Sequence, residues 1–286
     1  MIGRCQRSAS LVLAGAASLA LTVLSGAAPA TARVLPSTAA GARAPSAHGK
    51  HLIRAARREG PARTVTNYTS SNWDGYFATD ASHDTDFTAI SATWTEATVT
   101  CGSKKKAWAG FWVGLDGWWN DSVEQGGTEA ICLNGSPQYS VWWEMFPFND
   151  IQVGFAVSPG DAIHASVTYK PSSKKFDIVV KDLTSGKTLT KDIACQPGQG
   201  GCQRSSADVI SEDIEHSGGV LFPLPDYGTE TYKSVSVTDT SGHTGPLNDS
   251  AWQLGRVTEV SSGVKKQTTS GLRSGGSSFT TAWQHQ

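Results

Sequence analysis

Two polar residues far apart in the chain carry the chemistry that this sequence offers. Gln125 lies in the segment V-E-Q-G-G-T at 123–128, and Glu212 lies in A-D-V-I-S-E-D-I at 207–214. A positioned carboxylate can take a proton from water and later give it to a leaving group, while an amide N–H can stabilise an oxyanion. Such a pair could hydrolyse a bond without a metal ion or a serine nucleophile.

The sequence contains none of the common hydrolase signatures. It has no G-x-S-x-G elbow, no H-E-x-x-H helix and no P-loop, and D-T-S-G at 239–242 has one residue too many for an aspartic-protease motif. Since there is no C-x-x-C pair and no histidine at ligand spacing, we expect no metal and no cofactor. A Ser-His-Asp triad assembled only in the fold stays open, because triads are defined by geometry.

The elements that must position the two residues are strands. Short alternating or apolar segments recur between Gly, Ser, Asn, Asp and Pro, and helix signals are nearly absent. Strands are predicted at 88–94, 109–115, 138–146, 162–169, 175–183, 187–193, 209–214, 234–238, 252–260 and 278–283. This pattern predicts an all-β, antiparallel two-sheet sandwich or jelly roll.

The N-terminal 64 residues differ from the rest. Arg4 and Arg7 precede an apolar run at 11–24, and A-T-A follows at 30–32, which predicts a signal peptide at 1–32 and a secreted, extracellular protein. Residues 33–64 hold seven basic residues against one acidic residue, whereas the body at 65–286 is acidic. The opposite charges predict a basic pro-segment held by Coulomb attraction; a linker without further function fits equally.

The cysteines and the charge of the body limit its partners. Cys101, Cys132, Cys195 and Cys202 form an even set, as expected in an oxidising compartment. The short spacing of the last two favours a local bridge, which leaves Cys101 to pair with Cys132. The negative body argues against nucleic acid as a partner. We expect no membrane segment in the mature chain, and a monomer.

Five segments within residues 70–260 resemble, in the same order, motifs of the glutamic peptidase (eqolisin) family. S-N-W-D-G at 71–75 resembles S-N-W-x-G, F-W-V-G-L-D-G at 111–117 resembles W-V-G-I-D-G, E-Q-G-G at 124–127 falls at L-Q-T-G, W-W-E-M-F-P at 142–147 resembles W-Y-E-W-Y-P, and A-D-V-I-S-E-D-I at 207–214 resembles A-E-W-I-V-E-D-F.

The resemblance implies a fold and an activity. It places Gln125 on the family's catalytic glutamine and Glu212 on its catalytic glutamate. It implies a curled sandwich like that of legume lectins, a concanavalin A-like jelly roll. It also implies a secreted endopeptidase that cleaves protein or peptide substrates in acid and resists pepstatin.

Four further residues are candidates for substrate binding. Trp73 and Trp112 are expected to be half core and half cleft wall. Asp116 is either a turn residue or a partner of the active site, and Glu144 either tunes the cleft or faces solvent.

The chain also departs from the family pattern at several positions. Glu124 stands where the family has an apolar residue, and Asp208 and Ser211 replace Glu and Val. Trp118 and Trp119 occupy a region where fungal members can have a bridging cysteine.

Two other functions fit a tryptophan-rich, lectin-like sandwich. One is a glycan-binding module or a glycoside hydrolase, with Glu124 and Glu144 as its carboxylate pair. The other is a surface protein without catalytic activity. Gln125→Ala distinguishes the peptidase from a glycoside hydrolase, since only the peptidase requires this amide, whereas the inactive surface protein would cleave no protein at any pH.

Overall fold

The computed structural model describes residues 65–286 except 81–86, 105, 148–150, 198, 200–201 and 217–219. The signal peptide and basic segment predicted at 1–32 and 33–64 lie outside the described residues. Within the described residues the chain has no α-helix, only a 3-10 turn at Ser274–Gly276. None of them belongs to a helix long and apolar enough to cross a membrane.

Nineteen strands make up the described part of the chain. They are β1 Val65–Ser70, β2 Trp73–Thr79, β3 Phe87–Thr95, β4 Lys106–Leu115, β5 Val123–Leu133, β6 Ser136–Phe146, β7 Gln152–Ala156, β8 Ala162–Lys170, β9 Lys175–Asp182, β10 Thr188–Ala194, β11 Ser206–Asp213, β12 Glu215–His216, β13 Val220–Leu221, β14 Thr229–Asp239, β15 Thr244–Gly245, β16 Gln253–Ser261, β17 Val264–Lys265, β18 Gln267–Thr269 and β19 Phe279–Trp283.

Most of these strands form two large sheets. One has the order β1-β16-β2-β11-β4-β5-β6-β7, with β17 beside β16. The other has the order β10-β9-β8-β3-β14-β19-β18, with β15 beside β14, and β12 pairs separately with β13. The pairs that flank β4 and β5 are antiparallel, while β1 runs parallel to β16. The predicted all-β sandwich is therefore confirmed.

The main core lies between the two sheets and follows the alternation predicted from the sequence. Ile163, Ala165 and Val167 of β8 are fully buried, and the residues between them are less so. A separate apolar cluster covers the opposite face of the nine-stranded sheet, which we call the outer face. Its buried members are Trp73, Phe77, Trp112, Val123, Trp142, Phe146, Ile210 and Val257. Because β4 is buried on both faces after Lys106, the rest of its sequence is apolar rather than alternating.

The ten predicted strands are present, most with small shifts of their ends, but nine strands were not predicted, among them the longer strands β1, β2, β5 and β7. Strand β5 contains Gly126 and Gly127, and glycine is unfavourable in isolated strands. In the fold, a Cβ at Gly127 would stand 2.0 Å from the carbonyl oxygen of Phe111. The close approach of β4 and β5 therefore requires glycine at this position.

Both predicted disulfides are confirmed. Cys101 bonds Cys132, with 5.6 Å between the Cα atoms, and thereby ties the segment before β4 to β5. Cys195 bonds Cys202, with 6.0 Å between the Cα atoms. The second bridge closes the loop that leads into β11, the strand that carries Glu212.

Candidate active site

The structure places Gln125 and Glu212 on one face of one sheet. Glu212 of β11 is paired with Gly110 of β4, and Gln125 of β5 is paired with Gly114 of the same strand. Paired residues of antiparallel strands share a face, and residues four apart on one strand do so as well. Both side chains therefore lie on the outer face, separated by β4.

Trp112 occupies the outer face of β4 between the two positions. Its Nε1 donates to Glu212 Oε2 at 2.8 Å. At the other end of the ring, its Cζ3 would be only 2.9 Å from a Cβ at Gly114, the residue beside Gln125. The indole thus extends from the carboxyl group to the strand position next to the amide, and Gly114 leaves room for it.

Three N–H groups converge on the carboxyl group of Glu212. Asn72 Nδ2 donates to Oε1 at 3.0 Å, and Trp73 Nε1 donates to the same oxygen at 2.5 Å. The third donor is Trp112. Glu212 is only 1% exposed, so both carboxyl oxygens are held by directed protein donors. This arrangement fixes the position of the carboxyl group and favours its ionised form.

Opposing influences act on the pKa of Glu212. Burial raises this pKa well above its ordinary value, and the N–H groups of Trp73 and Trp112 oppose that rise. Charge repulsion from Glu144 and Asp213 raises the pKa further. The carboxyl group can therefore hold a proton more readily than a solvated glutamate, while its hydrogen bonds support the charged form when the proton leaves.

Gln125 is oriented by Glu144. The two residues are paired between β5 and β6, and Gln125 Nε2 donates to Glu144 Oε2 at 2.9 Å. The Oε1 atom of Gln125 is buried and has no hydrogen-bond partner within the described part of the chain. Because Glu144 also acts on the pKa of Glu212, it lies near both residues. Of the two alternatives for Glu144, the solvent-facing one is wrong, since Glu144 is 1% exposed, and its assignment to substrate binding stays a prediction.

Trp73 and Trp112 are more deeply buried than the sequence suggested. They are 2% and 0% exposed, and their rings meet edge to face with centroids 5.0 Å apart. The expectation that each ring is half cleft wall is therefore wrong, and the assignment of both residues to substrate binding stays a prediction. Their indole N–H groups serve Glu212 instead, because a buried tryptophan needs an acceptor.

Asp116 lies at the end of β4 with a backbone φ of 70°, and its carboxylate binds neighbouring loops. It accepts hydrogen bonds from Ser205 N at 2.7 Å and from Asn120 Nδ2 at 2.7 Å. Ser205 immediately precedes β11, so Asp116 joins the loop after β4 to the start of the strand that bears Glu212. Its assignment to substrate binding stays a prediction.

Asn72 is a site residue that the sequence reasoning missed. Its side chain is buried, and Ser70 Oγ donates to its Oδ1 at 3.2 Å, which leaves Nδ2 directed at Glu212. Its position in the S-N-W-D-G segment, next to the tryptophan that also contacts Glu212, is the feature of the sequence from which Asn72 could have been predicted.

The carboxylate pair proposed for a glycoside hydrolase is not assembled. Glu144 shares the outer face with Gln125, whereas Glu124 is paired with Met145, which belongs to the core between the sheets. Glu124 instead accepts a hydrogen bond from Gln199 Nε2 at 3.1 Å. Two carboxyl groups on opposite faces of a sheet cannot flank one glycosidic bond. The described residues also include no group of three or more His, Cys, Asp or Glu side chains that could hold a metal ion.

Together these features define a class of protein: an all-β fold whose candidate active site is a buried, hydrogen-bonded carboxyl group with a fixed amide on the same sheet face. The sequence model of the Peptidase A4 family matches residues 71–283, and the chain belongs to this family. It is a peptide-bond hydrolase related to the glutamic peptidases.

Solved structures share the fold. A scytalido-glutamic peptidase bound to a peptide-based transition state analog is 24% identical, with a TM-score of 0.63 over 75% of this chain and 99% of that one. SCP-B, described as a member of the eqolisin family in complex with the tripeptide Ala-Ile-His, is 24% identical with a TM-score of 0.60 over the same shares. Aspergilloglutamic peptidase from Aspergillus niger is 25% identical with a TM-score of 0.54, over 62% of this chain and 99% of that one. No protein with curated annotation is similar enough in sequence to count as a relative.

Proposed function

We propose that the chain is a secreted acid endopeptidase that cleaves proteins with water activated by Gln125 and Glu212, and that pepstatin does not inhibit it. The observation that carries the proposal is the carboxyl group of Glu212, buried and held by three N–H donors on the sheet face that also holds Gln125. Relatives of the same fold have bound a peptide-based transition state analog and a tripeptide.

The reaction begins with ionised Glu212 as the general base. It takes a proton from water as the water oxygen attacks the peptide carbonyl carbon, and the carbonyl oxygen becomes an oxyanion. Gln125 donates a hydrogen bond to that oxyanion from Nε2, whose other N–H is held by Glu144. Glu212, now protonated, gives its proton to the leaving nitrogen as the C–N bond breaks, and no acyl-enzyme forms.

The pKa of Glu212 suits these two tasks. Trp73 and Trp112 support the ionised state needed in the first step, and burial supports the protonated state needed in the second. Acid also favours protonation of the leaving amine. We expect maximal activity in acid, where the N–H groups of Asn72, Trp73 and Trp112 must keep part of Glu212 ionised against the effect of burial. A flat or alkaline pH–rate profile would contradict the mechanism.

Secretion has independent physical support. The two disulfides are of the kind that persists in an oxidising compartment, and residues 1–32 have the composition of a signal peptide. The basic segment at 33–64 is proposed as a pro-segment bound to the acidic body. Mass spectrometry of the protein from culture medium would give the N-terminus of the mature form.

Digestion of an acid-denatured protein tests the catalytic proposal. We expect cleavage at about pH 4 that continues with pepstatin present. Glu212→Gln should lower kcat by about 10²–10⁴-fold, and Gln125→Ala by about 10²–10³-fold.

Two variants serve as controls for the substitutions. Glu230→Gln removes a buried carboxyl group from the other sheet, and Gln284→Ala removes an exposed amide. Both should retain wild-type activity. Full activity of Glu212→Gln, with its fold intact by circular dichroism, would refute the role of this residue.

A further inference from the structure

An aromatic surface lies on the outer face next to Glu212. It is formed by Tyr68 of β1, Phe77 of β2, and Trp118 and Trp119 of the loop after β4; we call it the aromatic shelf. Trp118 stacks on Phe77 with centroids 4.2 Å apart and an interplanar angle of 24°, and it meets Tyr68 edge to face at 5.2 Å. Phe77 is buried, whereas Trp118 and Trp119 are only partly buried. The shelf therefore offers apolar ring surface at the protein exterior.

The shelf is continuous with the candidate active site. The ring centroid of Trp118 lies 6.4 Å from that of Trp73, and Trp73 Nε1 donates directly to Glu212. Phe77 and Trp73 belong to β2, which is followed in the sheet by β11, β4 and β5. Phe77 therefore lies across β11 and β4 from Gln125, in the same cross-strand row, because it pairs with Asp208, which pairs with Gly114, the partner of Gln125.

Hydrogen bonds hold the loop that carries the shelf. Asn120 Oδ1 accepts from Gly117 N at 3.0 Å, and Asn120 Nδ2 donates to Asp116 at 2.7 Å. Trp119 Nε1 donates to Thr79 Oγ1 at 3.0 Å, which ties its ring to the end of β2. Because the rings are ordered before a ligand arrives, little conformational entropy is lost on binding.

We propose that the aromatic shelf is a substrate subsite that selects a large apolar side chain, preferably an aromatic one, in the peptide to be cleaved. The proposal rests on the proposed function, because the ligand is the substrate of Glu212. Trp73 contacts both the ring of Trp118 and the carboxyl group of Glu212, so the shelf lies one side chain away from the proposed general base. The selected side chain thus stacks on Trp118 within a few residues of the scissile bond.

Peptide kinetics test the subsite. A series of fluorogenic peptides varies one position at a time among Phe, Leu and Gly, on both sides of the cleaved bond. At one position the wild-type protein should prefer Phe to Gly by at least about 10-fold in kcat/KM. Trp118→Ala should reduce the Phe-to-Gly ratio to less than about 3-fold and leave kcat/KM for the Gly peptide unchanged. Trp118→Phe should restore most of the preference.

The matched control is Trp283→Ala, which removes a partly buried indole from β19 of the other sheet. It should keep the wild-type preference. If Trp118→Ala cleaves every peptide with the wild-type ratios, the shelf is not a subsite, although the proposed peptidase function stands.

A binding measurement separates the two proposals. In a calorimetric titration, Glu212→Gln should bind the Phe peptide more tightly than the Gly peptide. Adding Trp118→Ala to this variant should abolish the difference in affinity. If the wild-type protein cleaves no peptide but this binding preference is present, the catalytic proposal fails and the subsite stands. Equal binding of both peptides by Glu212→Gln overturns the subsite.

Discussion

Replacement of a buried carboxyl group in the eight-stranded sheet should stabilise the protein at neutral pH. Glu230 lies on β14 in the eight-stranded sheet, 1% exposed, and its Oε1 accepts a hydrogen bond from Thr231 N at 2.7 Å. Burial raises its pKa from 4.5 to about 8, against the smaller opposing effect of its hydrogen bonds. Glu230→Gln keeps an acceptor for Thr231 N and cannot ionise.

The direction of the pKa shift of Glu230 determines how stability depends on pH. Since the folded pKa lies above the unfolded value, the protonated carboxyl group contributes its full stability below about pH 4.5 and loses that contribution as the pH rises towards about 8. Between about pH 4.5 and 7 the loss is roughly 3 kcal/mol at 1.36 kcal/mol per pH unit. Burial likewise raises the pKa of Asp74 to about 8 and that of Glu129 to about 7. Their combined loss would approach the total stability of a typical domain.

Urea unfolding followed by tryptophan fluorescence measures this effect at about pH 4 and pH 7. We expect the wild-type protein to be far less stable at pH 7. Glu230→Gln should match it within about 1 kcal/mol at pH 4 and exceed it by roughly 3 kcal/mol at pH 7. Asp192→Asn is the control, because Lys175 and Lys170 lower the pKa of this exposed residue. Equal stability of the wild-type protein at both pH values would refute the reasoning.

Three other variants test the candidate active site and the contacts that support it. Trp112→Phe removes one N–H donor from Glu212. Since a hydrogen bond to a charged group is worth about 1.5–3 kcal/mol, this variant should lower kcat/KM by about 10–100-fold. It should also move the acidic limb of the pH–rate profile to higher pH. Gly114→Ala places a Cβ 2.9 Å from Trp112 Cζ3, which should lower the free energy of unfolding in urea by about 1–3 kcal/mol and also lower the activity. Unchanged kinetics would show that Gly114 does not make room for the indole of Trp112. The double variant Cys195→Ser/Cys202→Ser opens a loop of sequence separation 7, and should lower the free energy of unfolding by about 2 kcal/mol while the Cys101–Cys132 bridge remains.

Much of the fold was predictable from the sequence because its determinants are local. The alternation of β8, the hairpin turn between β9 and β10, and the short spacing from Cys195 to Cys202 each lie within a few residues. The five motif segments located the candidate catalytic residues without any knowledge of the sheets. Strand β5 escaped prediction because Gly126 and Gly127 lower local strand propensity, and only the packing of β4 against it explains them.

The sequence by itself determined the class of fold, the two disulfides, and Gln125 and Glu212 as the candidate pair. Only the tertiary structure decided which side chains share a face, because strand register between distant segments sets the direction of every side chain in a sheet. It brought Glu144 to Gln125 on the outer face and turned Glu124 into the core side of the same sheet. It also decided that Glu212 is buried among three N–H donors, and burial, which no single segment encodes, is what raises its pKa.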